Sequence, residues 1–184
     1  MRRRTATDFI GDGDRPIMAQ VCLLGEPDGS LRYELLSRET AREALTTYDL
    51  REPYENSLAL ETVSLGAAVS LLNDLNWYLV RFSRAALIQA DSVSESEWLS
   101  RDLAAAIRDG DVDPAETGER LKVYGVNKSQ ELSSANQNAK RSGDIEEGRP
   151  VDPTFVEREG DRTPEREAYD EVLVVRVTEA EFEG

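Results

Sequence analysis

The sequence contains no histidine. That absence removes every Ser–His–Asp or Cys–His catalytic unit and every imidazole metal ligand. Cysteine is almost missing too: Cys22 stands alone, so neither an intrachain disulfide nor an all-cysteine zinc site can form. Lysine occurs only at Lys122, Lys128 and Lys140, and arginine supplies the other 19 of the 22 basic residues. No run reaches the roughly 18 apolar residues that a membrane-spanning helix needs. The Arg2-Arg3-Arg4 start resembles the basic region of a signal peptide, but Asp8, Asp12 and Asp14 follow it, and Gly25-Glu26 cut the apolar run Ile17–Leu24. The chain therefore reads as a soluble cytoplasmic protein with no cofactor, left with carboxylate, arginine, hydroxyl and backbone chemistry.

What the sequence does have is acid. Its 37 Asp and Glu exceed the 22 basic residues by 15 in a chain of 184 residues. An acidic interaction tail would gather that charge in one block, whereas here it is spread along the whole length. A disordered chain would lack aliphatic residues, yet dense apolar runs are present. The remaining reading is a protein for molar salt, where the Debye length falls to about 3 Å and self-repulsion is screened. The scarcity of lysine agrees with this reading. In such a solvent, net charge no longer excludes nucleic acid, although it gives no support for it.

Residues 1–18 lack periodicity and carry Gly11-Asp12-Gly13-Asp14, the composition of a disordered extension ending where Met18 meets the first apolar run. Residues 19–184 read as one globular domain. Ala19–Leu24 predicts a buried strand, and Gly25–Gly29 a turn. Leu31–Leu36 fits either strand or helix, and Ala41, Ala44, Leu45 and Tyr48 form a helical stripe. Leu58–Val63 alternates as a strand, and Ser64 caps a helix that runs to about Leu75. Trp77–Phe82, aromatic and β-branched, reads as the strongest strand. Ala85–Ala90 could extend it or form a short helix. Ser94 with Glu97 makes a capping box for a helix carrying Trp98, Leu99, Leu103 and Ile107 and ending at Gly110. Asp113-Pro114 opens a shorter helix. Leu121–Val126 and Val172–Val177 are strands, order returns around Thr154–Arg158, and Thr178 with Glu181 begins a last helical turn. Between them, residues 127–150 hold only Leu132 and Ile145 as large aliphatics, so they read as a mobile loop. The sum is a mixed α+β architecture: one mixed sheet of about five to six strands with helices on at least one face.

Most candidate sites have a plainer explanation. Asp109–Asp113 resembles the start of a calcium loop, but Pro114 and Arg120 stand where that loop needs Gly and a bidentate Glu. Asp12 and Asp14 read as loop carboxylates. The Gly25–Gly29 turn carries Glu26 and Asp28 and would repel a phosphate. Trp77, Tyr78 and Phe82 read as packing residues. The one concentration of positive charge is Arg32, Arg38, Arg42 and Arg51, interleaved with Tyr33, Tyr48 and Tyr54. Arginine forks there could hold a phosphate or carboxylate while the tyrosines stack on a base. The interspersed Glu34, Glu39, Glu43, Glu52 and Glu55 favour surface ion pairs instead.

Three segments carry a resemblance: LRYELLSRETAREALTTYDLREPYENSLALETVSLGAAVSLLNDLNWYLVRF (Leu31–Phe82), SEWLSRDLAAAIRDGDVDPAETG (Ser96–Gly118) and LKVYGV (Leu121–Val126). With the closing VLVVRVTEAEFEG, they resemble small uncharacterised proteins of halophilic archaea grouped under a domain of unknown function. The residues before Met18 depart from that pattern. The resemblance implies a haloarchaeal cytoplasm and brings no activity or catalytic residue with it. The leading expectation is a non-enzymatic module for a protein partner. RNA or nucleotide-phosphate binding through the Arg/Tyr group is the second, and a Mg²⁺-dependent carboxylate enzyme the third. If the acidity is an adaptation to salt, the thermal midpoint should rise steeply with potassium chloride. A chain that melts cooperatively at the same temperature in dilute buffer and in brine would overturn that reading.

Overall fold

In the computed structural model, the described residues are 19–127, 148–160, 169 and 171–183; the expected extension at 1–18 and most of the expected loop at 127–150 lie outside them. The chain opens with β1 (Ala19–Gly25) and turns into α1 (Leu31–Leu36), which Ser30 caps by accepting from the Tyr33 amide. The ambiguity at Leu31–Leu36 thus resolves as helix, with Leu31 and Leu35 four apart and buried. Next come α2 (Glu39–Leu45), β2 (Ser57–Thr62) and α3 (Leu65–Asp74). Ser64 caps α3 as its position predicts, accepting from the Ala67 amide at 3.0 Å.

The expected strand at Trp77–Phe82 is instead a helix, α4 (Asn76–Phe82). Residue type suggested β structure, but the positions that bury decide otherwise. Leu75 and Leu79 are buried, and Tyr78 and Phe82 pack partly against the same core. The spacing i, i+3, i+4, i+7 is helical, and tertiary burial of that stripe outweighs the local β preference of Trp, Tyr, Val and Phe. The strand comes next, β3 (Ser83–Ala90), which settles the second ambiguity.

A second correction concerns Ser94 and Glu97. Ser94 Oγ accepts from the Glu97 amide at 3.0 Å, as a helix start would require. Yet the chain goes on as the short strand β4 (Trp98–Ser100), and α5 (Arg101–Arg108) begins only after Ser100, whose hydroxyl caps Leu103. Trp98 and Leu99 enter two different cores, which only strand alternation allows. A single 3₁₀ turn at Pro114–Glu116 leads to β5 (Arg120–Asn127). After it come β6 (Arg149–Pro150), β7 (Thr154–Glu157), β8 (Glu171–Arg176) and α6 (Glu179–Glu183). Of the expected loop, therefore, Asn127 belongs to β5 and Arg149–Pro150 form a strand. Thr178 and Glu181 make the reciprocal capping box of α6, each amide donating to the other's side chain at 3.0 Å.

One mixed sheet results, with eight strands rather than five to six, in the order β2-β1-β3-β4-β8-β5-β6; β7 also pairs with β5. Every pairing is antiparallel except β4 with β8. Ala19, Val21 and Leu23 of β1 face the helices, joined by Leu58, Leu60, Ile88 and Leu99 from the neighbouring strands. The opposite face of the same strands, Cys22, Leu24, Ala59 and Leu87, packs against Tyr124 and Val126 of β5 and Leu173 and Val175 of β8. The sheet therefore curls over upon itself. Its free edge beyond β2 is extended by Arg51, bridged to Ala59, and reaches the other edge where Tyr54 bridges Gly148. These bridges close a small barrel filled by side chains. Within it, burial raises the Cys22 thiol to about 12, partly offset by Arg51. Burial also raises the Tyr124 phenol to about 12.

Glu97 fastens the far side of the barrel. Nearly buried, it accepts from Arg158 at 2.6 Å and from Arg176 at 2.8 Å. Arg158 Nε also donates to the Gly118 carbonyl, and Arg176 to Thr117 Oγ1. Gly118 lies at φ +107°, and Arg176 Nε sits 3.3 Å from where its Cβ would be, so the site wants glycine there twice over. Burial alone would raise the Glu97 carboxyl, but the two guanidiniums outweigh it and hold it below the ordinary 4.5. A depressed folded value means stabilisation that is full above the unfolded value and lost as the pH falls through the folded one. Glu97→Gln should cost about 1.5–3 kcal/mol near neutrality in denaturant titrations, by removing the carboxylate charge that two partly buried guanidiniums share. The gap from wild type should close in acid; a gap independent of pH would refute this account.

Candidate functional site

The residues that anchor α4 leave its opposite side to solvent. With Leu75 and Leu79 turned inward, Trp77, Val80 and Arg81 fall on the outer face at i, i+3 and i+4. Trp77 is 52% exposed and Val80 67%. Only Tyr33, Val63 and Phe155 join them as exposed large hydrophobics among the described residues, so α4 alone contributes a pair. The Arg81 guanidinium lies 3.7 Å over the Trp77 ring, and its Nη1 donates to the Trp77 carbonyl at 2.8 Å. No carboxylate pairs with Arg81 among the described residues. Tyr78 meets Trp77 edge to face at 5.1 Å, a second contact that holds the indole in place. Alongside, α1 packs against α4 and carries Tyr33, 67% exposed. Arg38, just beyond α1, stacks on the Phe82 ring at 4.7 Å. The result is a rigid aromatic face with a cation on its surface.

The Arg/Tyr group read from the sequence does not assemble into one site. Arg32 pairs with Glu52 at 2.9 Å, Arg38 with Glu34 at 2.8 Å and Arg51 with Glu61 at 3.7 Å. Arg42 Nη1 donates to the Leu36 carbonyl at 3.3 Å. Tyr48 packs against the helical core. Tyr54 lies in the barrel seam, where burial and the neighbouring Glu171 carboxylate raise its phenol. Of the group, Tyr33 lies on the helix beside α4, and Arg38 meets α4 at the Phe82 ring. The sequence pattern points to packing for Trp77 and singles out neither Val80 nor Arg81. The signal that could have found them was the complement of the Leu75/Leu79 stripe, legible only once the segment is known to be helical.

A second concavity lies at the mouth of the barrel, with a volume of about 400 Å³. β1 and β3 pair Leu24 with Ala85 and Gly25 with Ser83, so Arg84 is the extra residue of a bulge. The bulge re-aims its side chain. Arg84 reaches across to the Pro150 carbonyl and lies 5.8 Å from the Tyr124 ring. On the rim, Arg149 forks onto Glu55 through two 3.1 Å contacts. Asn56, at φ +58°, donates to the Glu26 carbonyl and accepts from the Leu31 amide, fixing the turn beside the mouth. Gly25 has to be small there, since a Cβ would stand 2.6 Å from the Asn56 amide nitrogen. Among the described residues, no group of three or more Cys, Asp or Glu side chains could hold a metal ion. No helix among them is long and apolar enough to cross a membrane.

If the outer face of α4 is a surface and not part of the core, truncations there will be cheap. Trp77→Ala and Val80→Ala should each change unfolding free energy by less than about 1 kcal/mol. Leu79→Ala, one position away, should cost about 2–5 kcal/mol. Comparable losses at all three positions would show that α4 packs on both sides. Against known proteins, no curated protein and no solved structure matches the chain. A family profile, however, covers residues 19–126, from β1 through β5. The chain belongs to that family, described as a family of unknown function, DUF5804.

Proposed function

We propose that this chain is a non-enzymatic protein-binding module of a salt-loaded archaeal cytoplasm, and that it docks through the outer face of α4 with Tyr33 beside it. The carrying observation is the Trp77–Arg81 stack: an exposed indole held rigid, topped by a guanidinium with no acidic partner among the described residues. Trp, Tyr and Arg are the residues that dominate binding energy at interfaces, and a pre-ordered side chain loses less entropy on association. The occupant is an acidic protein surface that offers an apolar pocket beside a carboxylate. Charge complementarity argues for it: α4 carries Arg81 as its only charge, in a chain with a net charge of −15. In brine the long-range part of that attraction is screened, so the contact pair itself and the buried apolar area supply the affinity.

The nucleic-acid reading has less to support it, because carboxylates already occupy Arg32, Arg38 and Arg51. For the metal-dependent reading, the described residues offer no group of three or more Cys, Asp or Glu side chains placed to hold an ion.

A photo-crosslinking side chain at position 80, in cells grown at native salt, tests the proposal, with position 116 on the exposed 3₁₀ turn as control. Position 80 should give a discrete adduct with an acidic protein, and the pair Trp77→Ala with Arg81→Glu should abolish it. Equal adducts from both positions would defeat the proposal. Adducts with RNA, or with a second copy of the chain, would replace the occupant.

A further inference from the structure

The barrel mouth shares no residue with the α4 face, and its chemistry points to a different ligand. We propose that it binds a small zwitterion of amino-acid or dipeptide size, with Arg84 holding the carboxylate and Asp28 the ammonium.

The argument starts from the bulge. A residue in regular register at position 84 would alternate with its neighbours, whereas the extra residue is turned across the opening, with its side chain only 19% exposed. Arg84 uses Nη2 on the Pro150 carbonyl and Nη1, at 3.4 Å, on the Asp152 carboxylate, whose side chain is 98% exposed. Guanidinium has five N–H donors in a planar fork. Nε and the remaining N–H groups of Arg84 have no acceptor among the described residues. A ligand carboxylate can therefore take a bidentate position and displace the long Asp152 contact. Partial burial keeps this pair from being screened as a surface pair would be.

Charge balance selects the rest of the ligand. Of the other charged groups at the mouth, Glu55 and Arg149 neutralise each other. Asp28 lines the same cleft and makes no ion pair among the described residues. A plain anion would meet Arg84 but face Asp28 and Asp152; a plain cation would meet Asp28 but face Arg84. A molecule carrying both charges satisfies both. Leu24, Pro27 and Val151 add an apolar wall for its side chain. The volume of about 400 Å³ lies at the small end of the range for small-molecule sites, about 300–1,000 Å³.

The test is an amide NMR titration of the full chain in native salt, with leucine and glycyl-leucine as zwitterions and N-acetyl-leucine and leucinamide as probes lacking one charge. The zwitterions should give saturable shifts at Gly25, Asn56 and Val151, and each single-charge probe should bind at least about tenfold more weakly. Arg84→Lys, which keeps the charge but loses the fork, should weaken leucine about tenfold. Asp28→Asn, at an exposed turn position, should weaken leucine and, by removing a like charge, strengthen N-acetyl-leucine. Equal affinity for leucine and N-acetyl-leucine would overturn the proposal, as would the absence of saturable shifts with either zwitterion. Should Arg84→Lys not fold, the comparison of probes on the wild-type chain decides alone.

Discussion

Strands β1, β2 and β3 are apolar on both faces, and the helices can cover only one of them. The rest of the architecture follows from that constraint. A sheet face lined by Cys22, Leu24, Ala59 and Leu87 would lose on the order of 1.5–3 kcal/mol for each large side chain left in water. The remedy is the second half of the chain, which brings Tyr124, Val126, Leu173 and Val175 over that face. Curling the sheet also settles the problem of its edges. The backbone groups beyond β2 meet Arg51 at Ala59, and Tyr54 meets Gly148 next to β6, so bridges tie these two edges of the sheet together.

The two halves need different fasteners because they meet in different ways. Near the mouth, closure relies on an exposed bidentate pair, Arg149 with Glu55, on a segment of two-residue pairing. On the far side, the parallel contact of β4 with β8 is equally short, and there Glu97 draws Arg158 and Arg176 together from β7's end and β8. A nearly buried carboxylate between two guanidiniums contributes geometry as much as stability: its hydrogen bonds fix where the strands end. Among the described residues, Glu97 is the one acid that is buried.

Much of the architecture was legible in the sequence, and the two misread segments, Trp77–Phe82 and Ser94–Glu97, went wrong through contacts distant in the chain. Strands with clear alternation or continuous apolar runs (Ala19–Leu24, Leu121–Val126, Val172–Val177) stand where their patterns put them. So do the caps at Ser64 and Thr178. Trp77–Phe82 misled because residue identity and residue spacing disagreed, and spacing won once the core was present. Glu97 misled because its carboxylate had two partners 61 and 79 residues away, beyond any local pattern. The candidate site was lost with the first error. An exposed Trp–Arg stack is visible only when Trp77 and Arg81 are known to be one helical turn apart. The bulge that turns Arg84 across the mouth was equally out of reach, since it exists only in the register between two strands that the chain brings together from 60 residues apart.

The solitary Cys22 lies inside the barrel, on the strand at its centre, with its sulfur cut off from water and its thiol held in the protonated form. A protonated, enclosed thiol is a poor nucleophile. Maleimide dyes, spin labels and alkylating agents would pass it by while the fold is intact. The wild-type chain is thus already a silent background for spectroscopy: one cysteine placed on any outer loop becomes the sole reporter, with Cys22 left in place.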